Sequence, residues 1–230
     1  MAEKKGCWLP LEANPDVMNK YAAKLGMNMS YQFHDVFGLD DELLGLVPQP
    51  CVAILLLFPI NQKLKKYEEQ ETERIHKEGQ ICSDEVFFIK QTIGNACGTI
   101  GMLHALGNCQ EQLTFDWFLK SFFEKTKNMN SKERGRYLEE NEDLSDAHEA
   151  SALEGDTAPP APEETVNLHF IAIVHRKGHL YELDGRKPFP INHGSTSGDT
   201  FLMDAARVCR EFMTRDPSEV HFTIVALCKV

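Results

Sequence analysis

Residues 51–58, CVAILLLF, are apolar at every position, which predicts a central strand covered on both faces. The segments around it alternate or cycle. EANPDVMNKYAAKLG has apolar residues at helical spacing (Met18, Tyr21, Leu25), with Asn14 as cap, Pro15 at the first helical position and Gly26 as the stop. YQFHDVF alternates like a strand, and DDELLGLVP predicts a short helix ended by Pro48. NQKLKKYEEQETERIHKEGQ is highly charged with Leu64, Tyr67 and Ile75 as sparse anchors, a surface helix or tether. EVFFIK reads as extended. A helix is expected from about Asn95 to Leu106, then an amphipathic one in TFDWFLKSFFEKTK with Phe115, Phe118, Leu119 and Phe122 on one stripe. SKERGRYLEENEDLSDAHEASA predicts one further helix capped by Ser131.

The periodicity stops at residues 154–165, EGDTAPPAPEET, which hold too little apolar surface to order themselves easily. Such a stretch is either a linker or a functional loop such as a lid. Three strand patterns follow, VNLHFIAIVH, GHLYELDG and VHFTIVALC, the first two joined by the turn-like HRKGH. GDTFLMDAARVCREFM, an amphipathic helix, precedes the last. Helices cluster early and strands late, which suits an α+β fold better than a βαβ repeat.

Composition narrows the function. The chain has 230 residues, 42% hydrophobic and 26% charged, in the range of an ordinary globular protein with a full core. No apolar run approaches the ~20 residues of a membrane helix. MAEKKGCWLP lacks a signal-peptide core, so a cytoplasmic location is expected, with the nucleus also open. Seven cysteines, an odd number with no CxxC pair, fit a reducing compartment and argue against both a disulfide framework and a zinc site. The net charge of −11 argues against nucleic acid and anionic membranes as partners. Between Arg136 and Arg176 there is no Lys or Arg, while ten Asp and Glu lie there. That run is either a solvated surface or an attractor for a basic protein.

The chemistry centres on Cys97 in QTIGNACGTIG. With Asn95 as a candidate cap, Cys97 falls in the first turn of a helix, where unpaired N–H groups favour a thiolate. Gly98, Gly101 and Gly107 weaken that helix by roughly 1 kcal/mol each relative to Ala, so packing must hold it. The glycines lack the GxxxxGK[ST] pattern of a phosphate loop. Composition alone leaves Cys97 open between a buried core residue and a nucleophile. Gln91, six residues earlier, is the Gln-to-Cys spacing of papain-like cysteine proteases, where the amide and the Cys N–H hold an oxyanion. A thiol nucleophile also needs a base and an orienter. If HRKGH closes a hairpin, His169 and Asp184 meet at its open end, while His175 and His179 lie at the turn. His193 is the second-choice base, a loop histidine. Asp184 is also explicable as the first residue of an Asp-Gly turn.

QTIGNACGTIG, LHFIAIVH and GHLYELDGRKPFPINHG, in that order, resemble the ubiquitin C-terminal hydrolases, a family of cysteine proteases. WLPLEANPDVMNKYAAKLG, VPQPCVAILLLFP, VCREFM and VALCK are similar to its small single-domain members, so the resemblance runs from Trp8 to Lys229. It implies one catalytic domain over residues 1–230 with a papain-like α/β fold: a central antiparallel sheet flanked by helices on both sides, a knotted backbone, and a crossover loop over the active site at about 150–165. It implies Cys97 as nucleophile, His169 as base, Asp184 as its orienter and Gln91 as the oxyanion donor. It further implies ubiquitin contacts at Pro10, Leu11, Glu12 and Asp35, with Leu168 lining a narrow channel for the Gly-Gly tail.

The implied activity is hydrolysis of small or unfolded adducts from the C-terminal glycine of ubiquitin, or of a close ubiquitin-like modifier. No cofactor is implied, and a monomer is expected. Two rivals remain: a reservoir that binds monoubiquitin with incidental hydrolysis, and a redox-sensing thiol protein.

Overall fold

The computed structural model describes residues 7–157, 160 and 166–230. Its spine is a six-stranded sheet of order β1-β6-β2-β3-β4-β5, in which every pairing is antiparallel. In chain order the strands are β1 (Tyr31–Asp35), β2 (Cys51–Pro59), β3 (Leu168–Arg176), β4 (His179–Leu183), β5 (Ile191–Ser195) and β6 (Thr223–Lys229). The helices are α1 (Pro15–Lys24), α2 (Asp41–Leu44), α3 (Gln62–Glu78), α4 (Cys97–Asn108), α5 (Trp117–Thr126), α6 (Ser131–Glu139), α7 (Glu142–Ala152) and α8 (Phe201–Arg215). The expected α+β architecture, with an antiparallel sheet covered on both faces, is present.

Strand alternation divides the core in two. Ala53 and Leu55 of β2, with Phe170, Ala172 and Val174 of β3, join α1, α4 and α5 on one face. Ile54, Leu56 and Phe58, with Ile171 and Ile173, join α8 and Leu64 of α3 on the other. β2 is apolar throughout because it serves both layers.

All twelve residues of α4 are buried. Its glycines make this possible. A Cβ on Gly98 would sit 2.8 Å from the Leu11 Cβ, and one on Gly107 2.3 Å from a ring carbon of Phe87. Most of its polar side-chain atoms are used, although His104 Nδ1 is buried without a partner. Asn108 accepts from Phe87 N (2.9 Å) and donates to Phe87 O (2.8 Å), and His104 Nε2 accepts from Ile89 N (2.9 Å). Burial pushes the His104 pKa down to about 4, which keeps that nitrogen an acceptor. EVFFIK therefore joins no sheet. Side chains of α4, with Arg134 bonding Phe88 O (3.1 Å), replace the partners a neighbouring strand would supply.

Several expectations need correction. The α4 helix starts at Cys97, and its N-cap is Ala96 with no side-chain cap bond. Asn95 has φ +59°, a left-handed conformation that Asn tolerates, and its amide donates to Cys7 Sγ (3.4 Å) instead. SKERGRYLEENEDLSDAHEASA forms two helices, because Asn141 caps a second one by accepting from Leu144 N (2.9 Å). The cap of the first is Asn130, in a capping box with Glu133, rather than Ser131. His193 lies on edge strand β5, not in a loop. The remaining elements follow the pattern, including the cap at Asn14. The HRKGH turn has positive φ at Lys177 and Gly178, which matches the twist of a two-residue hairpin. The expected crossover loop at 150–165 begins inside α7, and its residues 158–159 and 161–165 lie outside the described residues.

Gly107→Ala should destabilise the fold by about 1–3 kcal/mol, because the added methyl meets a packed aromatic ring that cannot swing away. Urea unfolding of the two proteins measures this; equal midpoints would contradict the packing described.

Candidate active site

Cys97 is the first residue of α4, so its thiol sits among N–H groups that have no partner within the helix. It is 9% exposed, and that small surface lines a cleft of about 350 Å³. His169 is the second residue of β3, and Asp184 follows the last residue of β4. The hairpin brings them together: His169 Nε2 lies 2.7 Å from Asp184 Oδ1, and both side chains are buried. The rings of His169 and Phe58 pack edge to face, with centroids 5.8 Å apart. With Nε2 held by the carboxylate, Nδ1 is the nitrogen left to serve the thiol.

The electrostatics are those of an ion pair. Burial by itself pushes the Cys97 thiol up. His169 outweighs it, helped by the Phe170 and Gly98 backbone, and the thiol titrates below its ordinary value. Burial would lower His169, but the Asp184 charge and hydrogen bond, with Cys97, raise it to about 9. Asp184 is held below the usual carboxylate range, its burial opposed chiefly by His169 and the Arg186 N–H. These shifts favour thiolate and imidazolium around neutral pH.

The Asp184 turn is fastened to the segment that leads into Cys97. Gln91 N donates to Gly185 O (2.8 Å). A Cβ on Gly185 would come within 2.8 Å of Ile100 and 2.9 Å of Gln91, so only glycine allows this approach. Asp-Gly here is thus a packing requirement as well as a turn. The Gln91 Nε2 donates to Ile93 O (2.9 Å), which leaves one amide hydrogen for another acceptor, and its Oε1 is buried without a partner.

Pro10, Leu11, Glu12 and Leu168 all line the cleft with Cys97. Leu11 is mostly buried and packs over Gly98; Leu168 is 40% exposed. Glu12 Oε2 accepts from Thr157 N (3.2 Å) and Oγ1 (3.1 Å), tying the N-terminal segment to the residues after α7. Asn14 does the same by donating to Asp156 (3.1 Å). Asp35 is not brought into the cleft: it ends β1, the edge strand on the far side of the sheet, and is exposed. Sequence reasoning missed Asn95 as a cleft-lining residue. Its signal is the Gly-Asn pair before Ala96, a turn dipeptide rather than a cap. Among the described residues, no group of three or more His, Cys, Asp or Glu is placed to hold a metal.

A thiol at a helix start, an imidazole beside it and a carboxylate behind the imidazole make up the working parts of a cysteine hydrolase. The comparisons agree. The family model described as ubiquitin carboxyl-terminal hydrolase, family 1, matches residues 8–214, and the chain belongs to that family. It is 47% identical to the Homo sapiens ubiquitin carboxyl-terminal hydrolase isozyme L1, covering 96% of this chain and 97% of the relative. It is 43% identical to a probable ubiquitin carboxyl-terminal hydrolase of Dictyostelium discoideum, covering 100% and 91%. Its fold resembles the Trichinella spiralis UCH37 catalytic domain bound to ubiquitin vinyl methyl ester, with a TM-score of 0.77 and 23% identity over 97% of this chain and 96% of that one.

Alkylation of Cys97 by iodoacetamide, followed by mass spectrometry of its peptide, should stay fast below the ordinary thiol pKa. In His169→Ala, burial is opposed only by the Phe170 and Gly98 backbone, and the half-maximal rate moves to higher pH. Superimposable pH–rate curves would break the proposed coupling. In the native protein the imidazolium, and with it the ion pair, should be lost as pH rises through about 9.

Proposed function

We propose that the chain is a deubiquitinating thiol hydrolase, a single catalytic domain over residues 1–230 with a crossover loop at about 150–165. It cleaves small or unfolded adducts from the C-terminal glycine of ubiquitin. The observation that carries this is the line of Cys97, His169 and Asp184 at one end of the sheet, beside a cleft. The Cys97 thiolate attacks the glycine carbonyl. The Cys97 N–H and the free amide hydrogen of Gln91 stabilise the oxyanion. His169, protonated and steered by Asp184, gives its proton to the leaving amine. It then takes one from the water that releases the acyl group. No step calls for a cofactor.

Substrate selection follows from the cleft. Pro10, Leu11, Glu12 and Leu168 border Cys97, and walls so close favour a tail without side chains. Asp35 acts separately, as an exposed acidic contact for a basic surface of the partner. The Glu12 tether to Thr157 sets one boundary of the opening and supports a filter against bulky folded adducts. The acidic balance steers a partner that is basic around its tail. The family membership supports ubiquitin as that partner.

A ubiquitin carrying a C-terminal electrophile should label the native protein one to one and leave Cys97→Ala unlabelled. Absence of labelling in the native protein would sink the proposal. Turnover of a ubiquitin C-terminal reporter separates an enzyme from a reservoir that binds and barely turns over.

The second-order rate on that reporter should also fall as salt rises, through kcat/KM at low substrate. A rate indifferent to ionic strength would remove the steering argument while leaving the chemistry intact.

A further inference from the structure

Behind Asp184 lies a buried ionic cluster that the proposed chemistry does not use. Lys187 is 5% exposed, and its Nζ donates to Glu71 Oε2 on α3 (2.8 Å) and to Glu182 Oε1 on β4 (2.6 Å). The other oxygen of Glu182 meets His193 Nε2 on β5 (2.8 Å). Glu182 is wholly buried, so the ammonium offsets carboxylate charge that water cannot reach. Burial would push the Lys187 ammonium down, but Glu182 and Glu71 outweigh it and hold the charge. Burial would push Glu182 up, and Lys187 chiefly keeps it ionised.

Lys187 is also part of the turn that carries Asp184. Its N–H donates to Asp184 O (2.9 Å), and the Arg186 N–H donates to Asp184 Oδ1 (2.8 Å), the oxygen that meets His169. The carbonyl oxygens of Arg186 and Lys187 accept from Lys90 Nζ on the opposite side. The turn is therefore held from outside by Lys90 and from inside by the Lys187 side chain. A shift of the turn would carry the Arg186 N–H away from Asp184 Oδ1 and loosen the aim of the carboxylate.

We propose that Lys187, anchored by Glu71 and Glu182, is a positioning residue: it locks the Asp184–Lys187 turn so that the carboxylate stays aligned on His169. It touches neither substrate nor reacting atoms, and its effect reaches the thiol only through Asp184 and His169. This rests on the hydrolase reading for its kinetic consequence but not for its structural one.

The test uses Lys187→Met, which keeps length and packing without the charge, and Glu71→Gln, which weakens the anchor from α3 and leaves the turn's own sequence intact. In Lys187→Met, kcat on a ubiquitin C-terminal reporter should fall by about tenfold or more, as misalignment in an active site does. KM should stay within about twofold, since the cleft is untouched. Glu71→Gln should show a smaller loss of the same kind. In both, the downfield proton NMR signal of the His169–Asp184 hydrogen bond should shift or broaden. That signal needs no substrate, so it tests Lys187 even if the native protein proves inactive, an outcome that would overturn the hydrolase reading alone. If Lys187→Met does not fold, Glu71→Gln decides. Folded variants with native kcat and a native His169 signal would overturn the proposal.

Discussion

The constraint on which the rest depends is the burial of α4 against β2 and β3. A helix with every residue buried must approach its neighbours closely, and this one does so where Gly98 and Gly107 leave no Cβ in the way of Leu11 and Phe87. The approach fixes the helix start, and with it Cys97, relative to the end of β3. It also forces the polar residues of α4 to find partners inside the protein. His104 and Asn108 find them in the backbone of residues 87–89, so the segment running to Gln91 is held by the same helix that Gln91 accompanies. Nucleophile and proposed oxyanion donor are thus positioned by one packing event.

The sheet supplies the second half of the site. Its β3–β4 hairpin turns tightly at Lys177–Gly178, and this sets the register that brings His169 to Asp184 at the opposite end. Beyond the end of β4 the ladder no longer holds the chain. There Gln91, Lys90, Arg186 and the Lys187 cluster take over, each through a hydrogen bond of the Asp184 turn. Burial gives the His169–Asp184 contact its strength. A carboxylate and an imidazole shielded from water interact far more strongly than an exposed pair. That is why His169 holds its proton to about 9 while the thiol beside it loses one early.

Much of this was legible in the chain. The all-apolar CVAILLLF, the alternating segments of the C-terminal third and the stripe of each amphipathic helix correspond to the elements found, because periodicity directly records which side faces a core. A turn and two strand patterns were enough to place His169 with Asp184 at the open end of a hairpin. Other features were not legible. EVFFIK has strand propensity yet pairs with no strand, since its hydrogen-bond partners include α4, Arg134 and the Ser131 carbonyl, which no local signal announces. INHGS has neither alternation nor apolar weight, and it is a strand only because the edge of β4 is there to pair with. Asn95 looked like a cap because its chemistry suits one, but the close fit of α4 starts the helix two residues later.

The sequence by itself determined most of the elements, the family, and the residue types of the candidate site, since these rest on local pattern and on motifs written in order. Only the tertiary structure decided which groups meet. Residues 97, 169 and 184 come from a helix start and the two strands of a hairpin, so their alignment depends on how helix and sheet pack. It was also the fold that turned Lys187 from one more positive charge into the centre of a buried cluster. Charge read along a chain says nothing about burial, and burial decides how strongly a charge holds its neighbours in place.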